Sequence, residues 1–369
     1  MVEWVNGDHI RNQRRALPKR RSFREGSDVD LFLLGTANIL VNVSNYIQGG
    51  IVSVLTKFYT DMIHVYNAPV LMVGLGAQAD FGDGLPFGTT NLTEKRSIKA
   101  SDIILTAQQK EMYGLIKGSG GDIVVRGQFT ANICTANGLQ PPLVFGCPSL
   151  FINHNPSLGA RLEAKRIAVL KARDSANLRL AVGLPAVPTQ GNMYLQSLVL
   201  IQFLAKKVFK VFPKSFVVVQ TPHDMDTIHK LQQYGAPITQ DRIKYYYDPE
   251  HWFEGIGKSA DFLFGFRIHG TMAGTAAEVP SVVISTDHRI QELAEGMQLA
   301  TATVSDPRFG VEAFDLFDFI DSVKFDGRKF DEHRRSIAKQ YVALFERLKA
   351  PVNPGIAAIA NTGAGEATV

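Results

Sequence analysis

The sequence predicts an α/β protein built on two parallel sheets, and three observations lead there. From residue 29 onward, apolar runs of four to six residues alternate with amphipathic stretches. The runs are near-continuously apolar, as strands covered on both faces are. The rhythm breaks at FINHNPSLG (151–159), where Pro, Asn and Gly cluster, and then restarts. At 369 residues the chain exceeds one typical domain. The break therefore divides it into two consecutive Rossmann-like domains.

In the first half, DLFLLG (30–35) reads as a buried strand, followed by a helix over about 45–62. PVLMVGLG (69–76) is a second strand and DIILTA (102–107) a third, with a helix after it to about residue 117. DIVVR (122–126) is a fourth, a helix runs on to about residue 136, and PLVFGCP (142–148) closes this half. In the second half, LRLAVGLP (178–185), FVVVQTP (216–222), DFLFGF (261–266) and SVVIST (281–286) read as strands. Helices are expected over 192–211, 224–233, 250–258, 271–278 and 289–297, the first with Gln202, Lys206 and Lys210 on one polar face. The charged segment 329–349 reads as a last helix, and 352–369, rich in Ala, Gly, Thr and Asn, as a loose tail. The predicted organisation is a basic arm (1–27), a first domain (28–155), a second (156–328), a terminal helix (329–350) and a tail (351–369).

The net charge of +4 resides in the arm. Residues 1–25 hold seven Lys and Arg against Glu3, Asp8 and Glu25, and the remainder balances at 32 basic and 32 acidic side chains. The body is therefore no nucleic-acid binder by electrostatics. The arm reads either as a solvated tail or as a segment attracted to an anionic membrane surface. Cys134 and Cys147 show no CxxC spacing, which argues for core packing in a reducing compartment rather than a disulfide framework. No apolar run reaches 18 residues, and the polar start lacks the apolar core of a signal peptide. The expectation is a cytoplasmic protein, with the inner membrane face as the place where the arm would act. The nine histidines show no HxH or HExxH spacing and no carboxylate cluster accompanies them, so no metal is expected.

In parallel α/β sheets, ligands bind outside the carboxyl ends of the strands. Chemistry-bearing residues stand at those ends: Arg126 after IVV, Arg267 and His269 after DFLFGF, and Asp287, His288 and Arg289 after SVVIST. His223 and Asp224 follow FVVVQT and read as a strand-exit turn and helix start. In the first half the ends are GTAN (35–38), with Asn38, and GLGAQAD (74–80), with Asp80. Gly74 and Gly76 lack the third glycine of a dinucleotide fingerprint and read as a tight strand exit.

RIHGT (267–271) carries more. Gly270 lets the chain turn and Thr271 is a reasonable N-cap for the helix that follows. A helix amino terminus beside an arginine is an anion site, through backbone N–H groups, the helix dipole and a bidentate guanidinium. A histidine next to a bound polyanion is driven towards its protonated form and becomes a general acid. The plainer reading has His269 packing at the helix entry. Asp287 and Arg289 likewise read either as a local pair at a helix start or as site residues.

These pieces resemble the polysaccharide pyruvyl transferases over roughly residues 30–300. The resemblance rests on VGLGAQ (73–78), VVRGQFT (124–130), GCPSL (146–150) and, most specifically, ADFLFGFRIHGTMAGTAAEVPSVVISTDHRIQEL (260–293). It implies two Rossmann-like domains in a GT-B-like arrangement with the active site between them, the first on the acceptor side and the second on the donor side. It implies transfer of the enolpyruvyl carbons of phosphoenolpyruvate onto two hydroxyls of a sugar, in a polysaccharide or lipid-linked oligosaccharide, as a pyruvate ketal. On this resemblance Arg126, Arg267, Ile268 and Gly270 bind phosphoenolpyruvate, His269 is the acid, and no metal or redox cofactor is needed. Asp287, Asp80 and Asn38 are the remaining candidates for acceptor binding or base. Many members carry an acid in a Gly-Asp turn after the first strand, whereas this chain has GTANILVN (35–42). Two other readings suit the same residues: a GT-B glycosyltransferase using a nucleotide sugar, for which Glu278 lies too far into its helix to hold a ribose, and a non-catalytic sugar- or anion-binding protein.

Overall fold

The computed structural model describes residues 30–35, 38–41, 49–65, 68–78, 99–185, 192–246, 248–310 and 313–363. The basic arm and Asp80 lie outside them. Two compact units divide the chain. One comprises Met1–Ala79, Ile98–Pro148 and Ser336–Ala360; the other comprises Asp80–Ser97, Ser149–Arg335 and Asn361–Val369.

The first unit holds β1 (Phe32–Gly35), β2 (Asn38–Val41), β3 (Val70–Gln78), β4 (Asp122–Val125) and β5 (Leu143–Val144). They form a parallel sheet in the order β1-β3-β4-β5, with β2 also paired to β3. Its helices are α1 (Gly49–Val65), α2 (Ala107–Gly118) and α3 (Gln128–Ala136). Helix α2 starts at a reciprocal capping box: Gln109 N donates to Thr106 Oγ1 and Thr106 N to Gln109 Oε1. The predicted strand at 102–107 does not form. Ile103 and Leu105 are buried while Ile104 faces out, but the polar groups that a ladder would satisfy go to a side chain. Leu105 N donates to Asn137 Oδ1 (2.9 Å) and Asn137 Nδ2 to Ile103 O (2.8 Å), so one amide replaces a strand neighbour.

The second unit holds β6 (Leu180–Gly183), β7 (Phe216–Val219), β8 (Ile243–Tyr245), β9 (Phe262–Gly265), β10 (Ser281–Ser285) and β11 (Thr301–Thr303). All pairings are parallel, in the order β11-β10-β9-β6-β7-β8. Counted from β6, this is the doubly wound order, whose direction of winding reverses between β6 and β9. Alternate residues feed opposite cores. Leu180, Val182, Val217, Phe262 and Phe264 face one side, and Ala181, Phe216, Val218 and Leu263 the other. Burial on both faces explains the unbroken apolar runs.

The helices of this unit are α4 (Leu158–Ala172), α5 (Asn192–Phe203), α6 (Asp224–Gln233), α7 (Pro249–Ser259), α8 (Ile268–Ala276), α9 (His288–Gly296) and α10 (Leu316–Ser322). Helix α5 runs into a π-helical stretch, Leu204–Phe209. α4, α10, β8 and β11 are additions to the predicted layout. Helix α4 buries only Leu158, Gly159 and Leu162, so it carries no apolar stripe to be read. Its start is held from elsewhere: Gly159 N and Ala160 N donate to Asp331. Helix α11 (Gly327–Arg347) matches the predicted charged helix. The predicted loose tail instead contains α12 (Pro354–Asn361). Asn353 Oδ1 accepts from Gly355 N, Pro354 opens the first turn, and Ile359 and Ala360 bury.

Arg334, on α11, is fully buried. Its Nε, Nη1 and Nη2 donate to the carbonyls of Leu150 (3.2 Å), Asn155 (2.8 Å) and Asn153 (2.5 Å). It thereby pins the irregular segment where the second unit begins, and burial pulls its guanidinium down to about 10. Removing it would take a donor from each of three carbonyls and the neighbouring cation from the buried Asp331 carboxylate 3.8 Å away. Arg334→Met is therefore expected to lower the unfolding free energy by about 3–5 kcal/mol, read by urea denaturation. A loss under about 1 kcal/mol would show that water takes over these contacts.

Candidate functional site

Parallel pairing sets the strand ends of the second unit level with one another. Gly183 of β6 pairs with Gly265 of β9 and with Val218 of β7, and Gly265 pairs with Val283 of β10. Gln220, Arg267 and Ser285 each stand two residues past that level. Arg267 and the start of α8 thus occupy the carboxyl side of the β6–β9 switch point, where doubly wound sheets hold ligands.

Arg267 is the N-cap residue of α8 in extended backbone, and His269 and Gly270 lie in the first turn. Thr271 is not the cap: it sits inside the helix, and its Oγ1 donates to Arg267 O (3.1 Å). Nor does Gly270 serve a turn. A Cβ there would fall 2.2 Å from Gln220 Nε2, so the missing side chain admits the Gln220 amide from the end of β7. Taking glycine as a breaker placed the helix start three residues late. The Ile268 side chain is buried in the core, which leaves only its backbone to face a ligand. His269 is exposed.

The Arg267 guanidinium is held by a carboxylate that sequence reading left as a helix start. Arg267 Nη2 donates to Asp224 Oδ1 (2.5 Å), and Nη1 lies 3.4 Å from both Asp224 Oδ2 and Thr221 Oγ1. The Asp224 side chain is 1% exposed and that of Arg267 20%. Gln220 Nε2 is buried without a hydrogen-bond partner. The signal that could have found this group is QTPHD (220–224), an acid just past a strand end in a sheet whose ends converge.

Just past β10, Asp287 caps α9, its Oδ1 accepting from Ile290 N (2.8 Å). Its Oδ2 is 3.4 Å from Arg289 Nη2. That carboxylate is engaged in capping. Arg289 keeps a buried Nε without a partner, so its guanidinium is the less committed of the two at this edge. The His288 side chain lies outside the described residues. Two guanidinium groups and the uncapped amino terminus of α8 on one edge can hold a small polyanion, and an exposed histidine in the first turn of α8 can pass it a proton. Among the described residues no three His, Cys, Asp or Glu side chains gather as a metal site would require. A cavity of about 440 Å³ opens at the opposite, amino-terminal edge of this sheet. Its lining charges are engaged: Arg179 Nη2 meets Asp261 Oδ1 at 2.5 Å, Lys165 Nζ donates to the Glu278 carbonyl at 2.8 Å, and Asp174 accepts from Asn177.

In the first unit, Arg126 follows β4 and is 3% exposed. Its Nε donates to Gly74 O (2.8 Å), and a Cβ at Gly76 would fall 2.8 Å from its Cδ. Gly74, at φ 78°, marks a register shift between Val73 and Leu75. The two glycines are therefore not a strand exit; both lie inside β3, bulged and bare so that the Arg126 stem can pack across them. Asn38 is the first residue of β2, and its side chain, like Asp80, lies outside the described residues.

The family model for polysaccharide pyruvyl transferase matches residues 51–288, more than half of the chain, and the chain belongs to this family. No curated protein matches it. Among solved structures it is similar to a glycosyltransferase from Rickettsia africae, at 11% identity and a TM-score of 0.39, covering 88% of this chain and 100% of that one. It is also similar to UDP-GlcNAc 2-epimerase from Neisseria meningitidis, at 11% identity and a TM-score of 0.37, covering 86% and 76%. A third is the N-terminal domain of trehalose-6-phosphate phosphatase from Candida albicans, at 7% identity and a TM-score of 0.38, covering 86% and 77%.

The role given to Gly76 has a measurable consequence. Gly76→Ala drives a methyl into the Arg126 stem and is expected to cost about 1–3 kcal/mol of stability in denaturant unfolding. An unchanged midpoint would mean that the Arg126 side chain moves aside freely.

Proposed function

We propose that this chain transfers the enolpyruvyl carbons of phosphoenolpyruvate to two hydroxyls of a sugar, forming a pyruvate ketal. The observation that carries this reading is the placement of Arg267 and His269 together at the start of α8, on the carboxyl side of the switch point. Membership of the polysaccharide pyruvyl transferases supports a glycan acceptor, either a polysaccharide or a lipid-linked oligosaccharide.

In this reading the phosphate and carboxylate of the donor are held by Arg267, Arg289 and the backbone of the first turn of α8. Protonated His269 gives its proton to C3 of the enol, which becomes the methyl carbon. Positive character develops at C2, and a sugar hydroxyl attacks there, surrendering its own proton. The C2–O bond to phosphate then breaks and phosphate leaves with the electron pair. The second hydroxyl closes the ring on C2 and loses its proton, so that one donor and one diol give one ketal and one phosphate. The protein supplies proximity, an acid and charge stabilisation. The seven basic residues of the arm would bring this chemistry to the anionic inner face of a membrane if the acceptor is lipid-linked.

The test is phosphate release and acceptor mass gain with phosphoenolpyruvate and a panel of hexose and hexosamine glycosides. His269→Ala is expected to lower turnover by a factor of about 10² to 10⁴, while retaining thermal stabilisation by phosphoenolpyruvate. Arg267→Ala is expected to lose that stabilisation. Full activity in His269→Ala sinks the mechanism. Stabilisation by a nucleotide sugar in place of phosphoenolpyruvate would make the chain a glycosyltransferase, and binding of either without turnover would make it a binding protein.

A further inference from the structure

We infer that Asp224 is the positioning residue of the site: it fixes the guanidinium of Arg267 in the orientation that meets the donor's anion. The inference rests on the reading of Arg267 as a donor contact. Three observations carry it.

First, the carboxylate is itself immobile. Oδ2 accepts from Gln220 N (2.7 Å) and Thr221 N (3.0 Å), two consecutive backbone donors at the end of β7. Asp224 is also the first residue of α6, where a negative charge suits the helix dipole. It is spent on these contacts and is not a free base. Second, the remaining oxygen, Oδ1, is presented to Arg267 Nη2 at 2.5 Å, with Nη1 near Oδ2. This grips the guanidinium by its two terminal nitrogens and fixes its plane. Among the described residues, Nε of Arg267 has no such partner, and the side chain stays one-fifth exposed. Third, the pair spans the switch point. β7 and β9 are not neighbours; β6 lies between them and ends in Gly183. A Cβ at Gly183 would stand 3.6 Å from Gln220 Nε2. That is an ordinary contact distance, and past it the β7 turn reaches across to α8 in two places, Gln220 against Gly270 and Asp224 on Arg267.

A counter-charge and a positioning residue make opposite predictions. If Asp224 only balanced charge, neutralising it would remove a repulsion and tighten binding of an anion beside Arg267. If it positions Arg267, neutralising it frees a long side chain and weakens the productive complex.

The experiment has two readouts. The first is steady-state kinetics with phosphoenolpyruvate for Asp224→Asn, Arg267→Ala and the double variant. Asp224→Asn is expected to lower kcat/KM about tenfold to a hundredfold without lowering KM. The double variant is expected to match Arg267→Ala, because Asp224 acts through Arg267. A lowered KM, an unchanged kcat/KM, or a further full loss on the Arg267→Ala background overturns the inference. Asp224→Glu is the second variant; it keeps the charge, displaces the carboxylate by one methylene, and is expected to lose activity too. The second readout needs no substrate: ¹⁵N spectra of the arginine side chains, with Arg267→Ala to assign the signal. Slow rotation of the Arg267 terminal nitrogens is expected in the parent protein, and averaging in Asp224→Asn. Free rotation in the parent protein overturns the inference by itself. A pinned Arg267 that is released in Asp224→Asn, in a protein that never turns over phosphoenolpyruvate, overturns the donor reading alone.

Discussion

Parallel hydrogen bonding sends every strand of the second sheet out at one edge, and the candidate site depends on that constraint. With Gly183, Gly265, Val218 and Val283 level, the residues just beyond them meet without any long loop to guide them. Two of the four are glycines facing each other across β6 and β9, and a Cβ on Gly183 would stand 3.5 Å from the Gly265 Cα. Neither glycine places a side chain at this level of the switch point. Side chains from the flanking β7 turn and from the β9–α8 junction fill it. The same geometry makes strand-end residues informative in a sequence once the sheet is known to be parallel.

Four arginines show how burial sorts positive charge between structure and chemistry. Taking a guanidinium out of water costs several kcal/mol unless its donors are met. Arg334 meets that cost with three carbonyls and has a carboxylate nearby, so all its nitrogens are spent. Arg126 packs its stem over Gly76 and gives Nε to the Gly74 carbonyl. Arg267 gives its terminal nitrogens to one buried carboxylate and keeps part of its surface open. Arg289 has a single long contact and a buried Nε with no partner. Within the second unit, commitment falls from Arg334 on α11 to Arg267 and then Arg289 at the carboxyl edge of β9 and β10.

The two-sheet α/β plan was legible because both sheets are covered on both faces, which leaves long apolar runs. What was misread shares a cause: a local signal whose partner lies far along the chain. DIILTA has the composition of a strand, yet Asn137, more than thirty residues on, takes its ladder groups. Gly270 looks like a turn until Gln220, fifty residues earlier, is found against it. Helix α4 lacks a stripe because much of it faces solvent, and Asp331 holds its start. β8 and β11 are three-residue edge strands that are only partly buried, too short for a period to show. Arg267, His269 and Arg126 could be singled out by position alone. Asp224 stands at such an end too, in QTPHD, but its role could not be read there, because its partner is set by strand order rather than by spacing.

The start of α8 differs from its neighbours in a way that bears on the chemistry. Asp248 caps α7, Asp287 caps α9 and Asp315 caps α10, each accepting a backbone N–H of the first turn. At α8 the N-cap position is Arg267, which offers no acceptor, and the first turn holds no acid. Forgoing an Asp, Asn, Ser or Thr there costs about 1 kcal/mol of helix stability. The positive end of the helix dipole is thus left unopposed by any acid of its own first turn, beside an arginine whose charge is met from one side only. A cap would satisfy the helix and fill the space with negative charge, which is the charge a phosphate and a carboxylate would have to bring. A helix that is to receive an anion has to begin without one, and the Asp224 carboxylate, tied down by two backbone amides, supplies order to Arg267 without occupying the first turn of α8.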